Sequence, residues 1–128
     1  MYMAYYNDVV HGGIEGQVTI THCNFTHNIA NGAAMQIIQH SLSYHHTTHW
    51  FQTSLEMCSF EHNFMRLDNG GPVLDFISVD VTMTTCRIIG SNTTAIALRN
   101  TYLNLFGDIE FENNSARVGG ALKFAKHH

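Results

Sequence analysis

An internal repeat constrains this chain more than any other feature: an aliphatic residue or cysteine, one residue, an aromatic or aliphatic residue, two residues, then usually asparagine. It is spelled CNFTHN from Cys23, CSFEHN from Cys58, CRIIGS from Cys86 and IEFENN from Ile109. Self-similarity at a period of about 20 to 50 residues marks a chain built from stacked copies of one small unit. With asparagine as the phase marker, Asn7, Asn28, Asn63, Asn92 and Asn114 lie 21, 35, 29 and 22 residues apart. The third copy slips by one, because Ser91 holds the strict position. A small-residue step and an aliphatic residue follow each marker: GGI at 12, GAAM at 32, GGPV at 70, TTAI at 93 and GGAL at 119.

Around these landmarks apolar residues alternate with polar ones, as in Val18, Ile20, Cys23 and Phe25, and again in Val79, Val81, Met83, Cys86 and Ile88. That is the period of short half-buried strands, and no unit carries an amphipathic segment of helix length. A unit of two or three short strands cannot close a core alone. Stacking the units so that equivalent strands pair in parallel, about 4.8 Å apart, buries a continuous interior. The expected fold is all-β, a parallel β-helix of about four coils. The chain's 128 residues and 14.4 kDa allow a single domain over 1–128, with coil boundaries near 16, 53, 79 and 103.

In such a stack the repeated side chains become ladders. Phe25, Phe60, Ile88 and Phe111 are expected along one inner wall, with Cys23, Cys58, Cys86 and Ile109 beside them. Asn28, Asn63 and Asn114 read as corner posts, since asparagine tolerates the left-handed conformation and its amide can bond corner backbone. The pairs Gly70-Gly71 and Gly119-Gly120 read as a tight bend followed by a close backbone approach. Three cysteines cannot form a complete internal disulfide set. In-register neighbours near 4.8 Å also sit too far apart for the Cβ spacing of about 3.8 Å that a disulfide wants, so a ladder of buried thiols is expected.

FENNSARVGGALKF, and less perfectly CNFTHNIANGAAMQI, resemble the F-x-x-N and G-G-A-[ILV] repeats of the chlamydial polymorphic outer membrane proteins. Related repeats occur in large secreted β-helix proteins of the pectin lyase-like class. The resemblance covers about residues 7–125; it is strongest in the last coil and weakest around 86–98, where no glycine pair occurs. It implies a right-handed parallel β-helix and an extracellular or cell-surface role, commonly adhesive. It does not imply catalysis, because the shared motifs are turn and core positions.

Composition narrows the function classes. Charged residues make up 12% of the chain and the formal net charge is -4, with two lysines and four scattered arginines, so no basic stripe exists for a phosphate backbone. No apolar stretch reaches the roughly 18 to 20 residues that span a bilayer, and MYMAYYNDVVHGG lacks a basic leader and an apolar h-region. The chain is expected to begin within a coil and to end just after the strand opened by Leu122 and Phe124. Unless MYMAYY folds over one end, the expected partners are further β-helix coils of a longer parent chain, or a protein or glycan at a cell surface.

Chemistry is expected where the repeat is interrupted. The insertion 37–52, IIQHSLSYHHTTHWFQ, gathers His40, His45, His46, His49 and Trp50. On a helix His45 and His49 would share a face, so His45, His46 and His49 are metal-ligand candidates. Ten histidines, with His27 and His62 at one repeat phase, also admit a pH-responsive module. A carbohydrate-active lyase or hydrolase needs converging carboxylates. Asp75 and Asp80 with Arg66 or Arg87 could flank a groove, whereas Asp108, Glu110 and Glu112 read as the solvent face of one strand. No catalytic residue and no cofactor is assigned. Three glycosylation sequons start at Asn24, Asn92 and Asn113. The sequence reading is a non-catalytic structural or adhesive segment; the alternatives are the carbohydrate enzyme and the His-loop module.

Overall fold

The computed structural model describes residues 1–7, 17–30, 32–41, 51–66, 71–115, 120 and 122–125. These residues hold fifteen strands and no helix. In chain order they are β1 (Tyr2–Asn7); β2 (Gln17–Thr21), β3 (Asn24–Thr26), β4 (Ile29–Ala30) and β5 (Met35–Ser41); β6 (Phe51–Glu56), β7 (Ser59–Glu61), β8 (Phe64–Met65) and β9 (Leu74–Ile77); β10 (Val79–Thr84), β11 (Arg87–Ile89) and β12 (Ile96–Arg99); and β13 (Tyr102–Phe106), β14 (Glu110–Glu112) and β15 (Leu122–Ala125). The protein is all-β and its sheets are parallel. Sheet A runs β1-β5-β9-β12-β15, sheet B β2-β6-β10-β13, sheet C β3-β7-β11-β14, and sheet D pairs β4 with β8. Each repeat visits sheet B, then C, then A, in the same order.

Period two in the sequence becomes period two in burial. Along β10, Val79, Val81 and Met83 are buried while Asp80, Thr82 and Thr84 are half-exposed. Pairing aligns the inward residues into columns: Ile20, Leu55, Met83 and Leu105 in sheet B, and Phe25, Phe60, Ile88 and Phe111 in sheet C. Met35, Leu74 and Ile96, then Ile37, Phe76 and Leu98, line sheet A. Phe60, Phe76, Leu55, Met83 and Ile88 are fully buried. Each such side chain contributes about 1.5–3 kcal/mol on leaving water.

The corners are built from left-handed residues in three columns. His22, Met57, Thr85 and Gly107 separate sheet B from sheet C; His27, His62, Gly90 and Asn113 follow sheet C; Ser78 and Asn100 precede β10 and β13. Their amides bond the neighbouring repeat, as in His22 to the Glu56 carbonyl (2.9 Å), Met57 to Thr84 (2.8 Å), His62 to Ile89 (2.8 Å) and Ser78 to Arg99 (2.9 Å). Hydrogen bonding between repeats therefore runs through the bends, and these bonds help hold residues in a conformation that costs about 1–3 kcal/mol each.

Two expectations change at this level. The left-handed conformation falls on His27, His62 and Asn113, one residue before Asn28, Asn63 and Asn114; of these asparagines Asn63 is buried, Asn114 half-buried and Asn28 exposed. Asn7 is out of phase with the other markers: it pairs with Ser41 in sheet A, at the end of a strand. Most of MYMAYY lies in β1, Tyr2–Asn7, which adds to β5 as an edge strand of sheet A.

Candidate functional site

The repeated asparagines act as clamps between repeats. Following a left-handed residue, Asn63 is fully buried. Its Oδ1 accepts from the backbone amide and from Nδ2 of Asn28 (both 3.0 Å), and its Nδ2 donates to the Phe25 carbonyl (2.9 Å). Asn114 repeats the pattern one pair of repeats later: Oδ1 accepts from Ser91 N (3.1 Å) and Oγ (2.7 Å), and Nδ2 donates to the Ile88 carbonyl (2.9 Å). An amide suits the post because it offers donor and acceptor together.

Ser91, too short to reach the preceding repeat, has one hydroxyl proton shared between Asn114 Oδ1 and the Thr93 carbonyl of its own repeat (2.8 Å). The bridge to the preceding repeat passes to Asn92, whose Oδ1 accepts from Met65 N (2.8 Å) and whose Nδ2 donates to the Met65 carbonyl (2.9 Å). Sheet D has no third strand among the described residues, and the Asn92 side chain occupies the place of one.

Rings and thiols also stack. Phe25 and Phe60 lie with centroids 5.0 Å apart and planes 7° apart, and His27 and His62 with centroids 5.3 Å apart on the exposed corner column. Gly90 ends that histidine column: a Cβ there would meet His62 Nδ1 at 2.5 Å. Cys23, Cys58 and Cys86 are free thiols on the column leading into sheet C. Cys58 and Cys86 are buried, while Cys23, in the first repeat, is half-buried, so the expectation of a wholly buried ladder is corrected there. Cys58 Sγ donates to the Ile20 carbonyl (3.4 Å) and Cys86 Sγ to the Leu55 carbonyl (3.3 Å). Burial pushes both thiols above their ordinary pKa, against the opposing pull of backbone hydrogen bonds.

Gly71 approaches Gly32 so closely that a Cβ would stand 3.2 Å from the Gly32 carbonyl group, and at Gly120 it would stand 2.9 Å from the Asn114 carbonyl oxygen. Gly70 and Gly119 lie outside the described residues, as do His45, His46, His49 and Trp50.

The carboxylate candidates do not converge on one another. Asp75 is buried on sheet A and accepts from Gln36 Nε2 (2.7 Å), while Asp80 stands on β10 in sheet B. Arg87 is directed away from both, toward Glu110 (3.3 Å) and Glu61 (3.6 Å) on sheet C; Arg66 is exposed. Asp108, Glu110 and Glu112 are all exposed. Among the described residues no three His, Cys, Asp or Glu side chains form a group able to hold a metal ion. No helix there is long and apolar enough to cross a membrane. Of the sequon asparagines all three are exposed, but the Asn92 nitrogen is bound to Met65.

Compared with protein-family models, curated proteins and solved structures, the chain has no match in any of the three.

Proposed function

We propose that this chain is a structural or adhesive, non-catalytic segment of an extracellular or cell-surface repeat protein, wound as a right-handed parallel β-helix. The observation that carries the reading is the use made of the repeat. Each repeat visits sheets B, C and A in the same order, and its phrase residues are spent on the neighbouring repeat: Phe25 on Phe60, Asn63 on Asn28 and Phe25, Asn114 on Ser91 and Ile88. Among the described residues the outer face of sheet B is one surface open to a partner, where Thr19, Ser54, Thr82 and Asn104 lie in register as a polar row. Repeat architectures bind through such extended rows of side chains. The resemblance of FENNSARVGGALKF to the polymorphic outer membrane protein repeats supports the surface location and the right-handed winding.

Two measurements test the reading. Antibodies raised against the folded chain should label intact cells of the source organism; labelling that requires permeabilisation would sink the surface role. A crystal structure should show the chain winding right-handed through sheets B, C and A, and left-handed or planar packing of the sheets would refute the β-helix.

A further inference from the structure

Cys23, Cys58 and Cys86 hold one position in three successive repeats. Each directly follows a left-handed corner residue and directly precedes β3, β7 or β11. The Cys23 carbonyl accepts from Ser59 N (2.9 Å) and the Cys58 carbonyl from Arg87 N (3.0 Å), so the three stand in register. Their side chains share one pose: each Sγ lies within hydrogen-bond reach of the carbonyl two residues earlier, Thr21 (3.3 Å), Glu56 (3.4 Å) or Thr84 (3.5 Å). Cys58 and Cys86 are also placed alike against the repeat before, at the carbonyls of the paired residues Ile20 and Leu55.

Groups repeated in one pose are displaced from each other by the strand spacing, so successive sulfurs stand about 4.8 Å apart. That is too long for a disulfide. It suits a different bond: a metal–thiolate bond is about 2.3 Å, so an ion held in line between two sulfurs separates them by about 4.6 Å. Thiolate sulfur selects soft cations. Zinc asks for four ligands, and among the described residues no three His, Cys, Asp or Glu side chains form a group for a metal. Two opposed sulfurs are instead the coordination of a soft monovalent ion. Cys58 is the middle thiol; Cys23 and Cys86, two repeats and about 9.6 Å apart, cannot share an ion without it.

We propose that the thiol column is a two-coordinate site for one soft monovalent cation, copper(I) or silver(I), with Cys58 as the shared ligand and Cys23 or Cys86 as the second. On binding, two S–H bonds break, two metal–sulfur bonds form and two protons leave to solvent, with no electron transferred. Cys23 is half-buried and gives the ion its way in, whereas Cys58 and Cys86 are buried. The site needs only the parallel register of these three repeats and stands apart from the surface role proposed above.

The probe is silver nitrate, titrated to equilibrium into the full chain in chloride-free buffer with excess imidazole to outcompete the histidines. Calorimetry should show a first ion bound tightly, a pH indicator should show two protons released with it, and X-ray absorption should find sulfur neighbours alone. Cys23→Ser and Cys86→Ser each leave one adjacent pair and should keep the site. Cys58→Ser removes the shared ligand and should weaken binding by more than the roughly 10–100-fold that loss of an outer-shell partner costs. The double variant Cys23→Ser/Cys86→Ser, which leaves Cys58 unaltered but alone, should lose the site as well, and circular dichroism should show the variants folded. Tight binding retained in Cys58→Ser or in the double variant would overturn the proposal. So would nitrogen in place of sulfur around the ion, or binding without proton release.

Discussion

Asn92 satisfies both backbone groups of Met65 with its side-chain amide, at 2.8 Å to the nitrogen and 2.9 Å to the oxygen. Met65 is buried and lies where sheet D has no further strand, so no other described residue stands ready to take these bonds. Leaving a buried backbone donor or acceptor unpaired costs about 1–3 kcal/mol. Asn92→Ala is therefore expected to lower stability by about 2–4 kcal/mol. Asn92→Asp, which keeps the acceptor and loses the donor, should fall between. Asn104→Ala, on an exposed position of β13, should change it by less than about 0.5 kcal/mol. Urea denaturation of the three variants tests this order, and a loss at Asn104 equal to that at Asn92 would contradict it.

Gly90 carries two constraints, a left-handed backbone (φ 70°) and the His62 ring beneath it. Alanine at positive φ costs about 1 kcal/mol through the backbone alone. The Cβ would also displace a ring stacked on His27. Gly90→Ala is expected to cost about 2 kcal/mol in the native background and about 1 kcal/mol in a His62→Ala background, where only the backbone share survives. A double-mutant cycle by chemical denaturation reads the difference directly. Equal costs in both backgrounds would mean that the ring moves aside freely.

How far the sequence foretells this structure depends on the residue. The all-β class is legible in the alternation of Val79, Val81 and Met83, and writing CNFTHN over CSFEHN sets Phe25 opposite Phe60, which is the β3 to β7 register. The corners fall one position before the asparagines that the repeat marks, on His27, His62 and Asn113. Yet five of the eight non-glycine left-handed residues, His22, His27, His62, Asn100 and Asn113, are of types enriched in that region, so a signal was present in the histidines. The role of Asn92 was not legible: a one-residue slip looks like decay of the repeat until the gap beside Met65 is seen. Function is fainter than fold because the conspicuous side chains are consumed in holding one repeat to the next.

The thiols give the chain an alkaline limit. Cys58 and Cys86 have pKa values raised by burial from an ordinary 9.0, so above that pH the unfolded chain releases protons that the folded chain keeps. Their contribution is intact below about pH 9 and is lost as pH rises through the folded values. Each thiol can add up to about 1.4 kcal/mol of lost stability per pH unit in that window. Stability measured from pH 8 to 10.5 should fall less steeply in Cys58→Ala/Cys86→Ala than in the native chain, after allowance for the lower starting value of the variant. Parallel slopes would show that the thiols play no part. A thiol reagent on the folded protein should modify Cys23 first, with Cys58 and Cys86 reacting only as the chain unfolds.

Thr53 is the one buried side-chain oxygen or nitrogen group among the described residues without a hydrogen-bond partner. It stands on β6 in a column with Val18, Val81 and Leu103, so its hydroxyl faces aliphatic neighbours. A hydroxyl buried unpaired costs about 1–3 kcal/mol, and valine has nearly the same shape with a methyl group in its place. Thr53→Val is expected to stabilise the chain by about 1 kcal/mol, roughly 4 °C in Tm for a domain of this size. Thr53→Ala should instead destabilise it, since the cavity left behind outweighs the relief of the hydroxyl. Thermal denaturation of the pair separates the two effects: if both variants lose stability, the Thr53 hydroxyl has a partner, such as a buried water, that valine cannot replace.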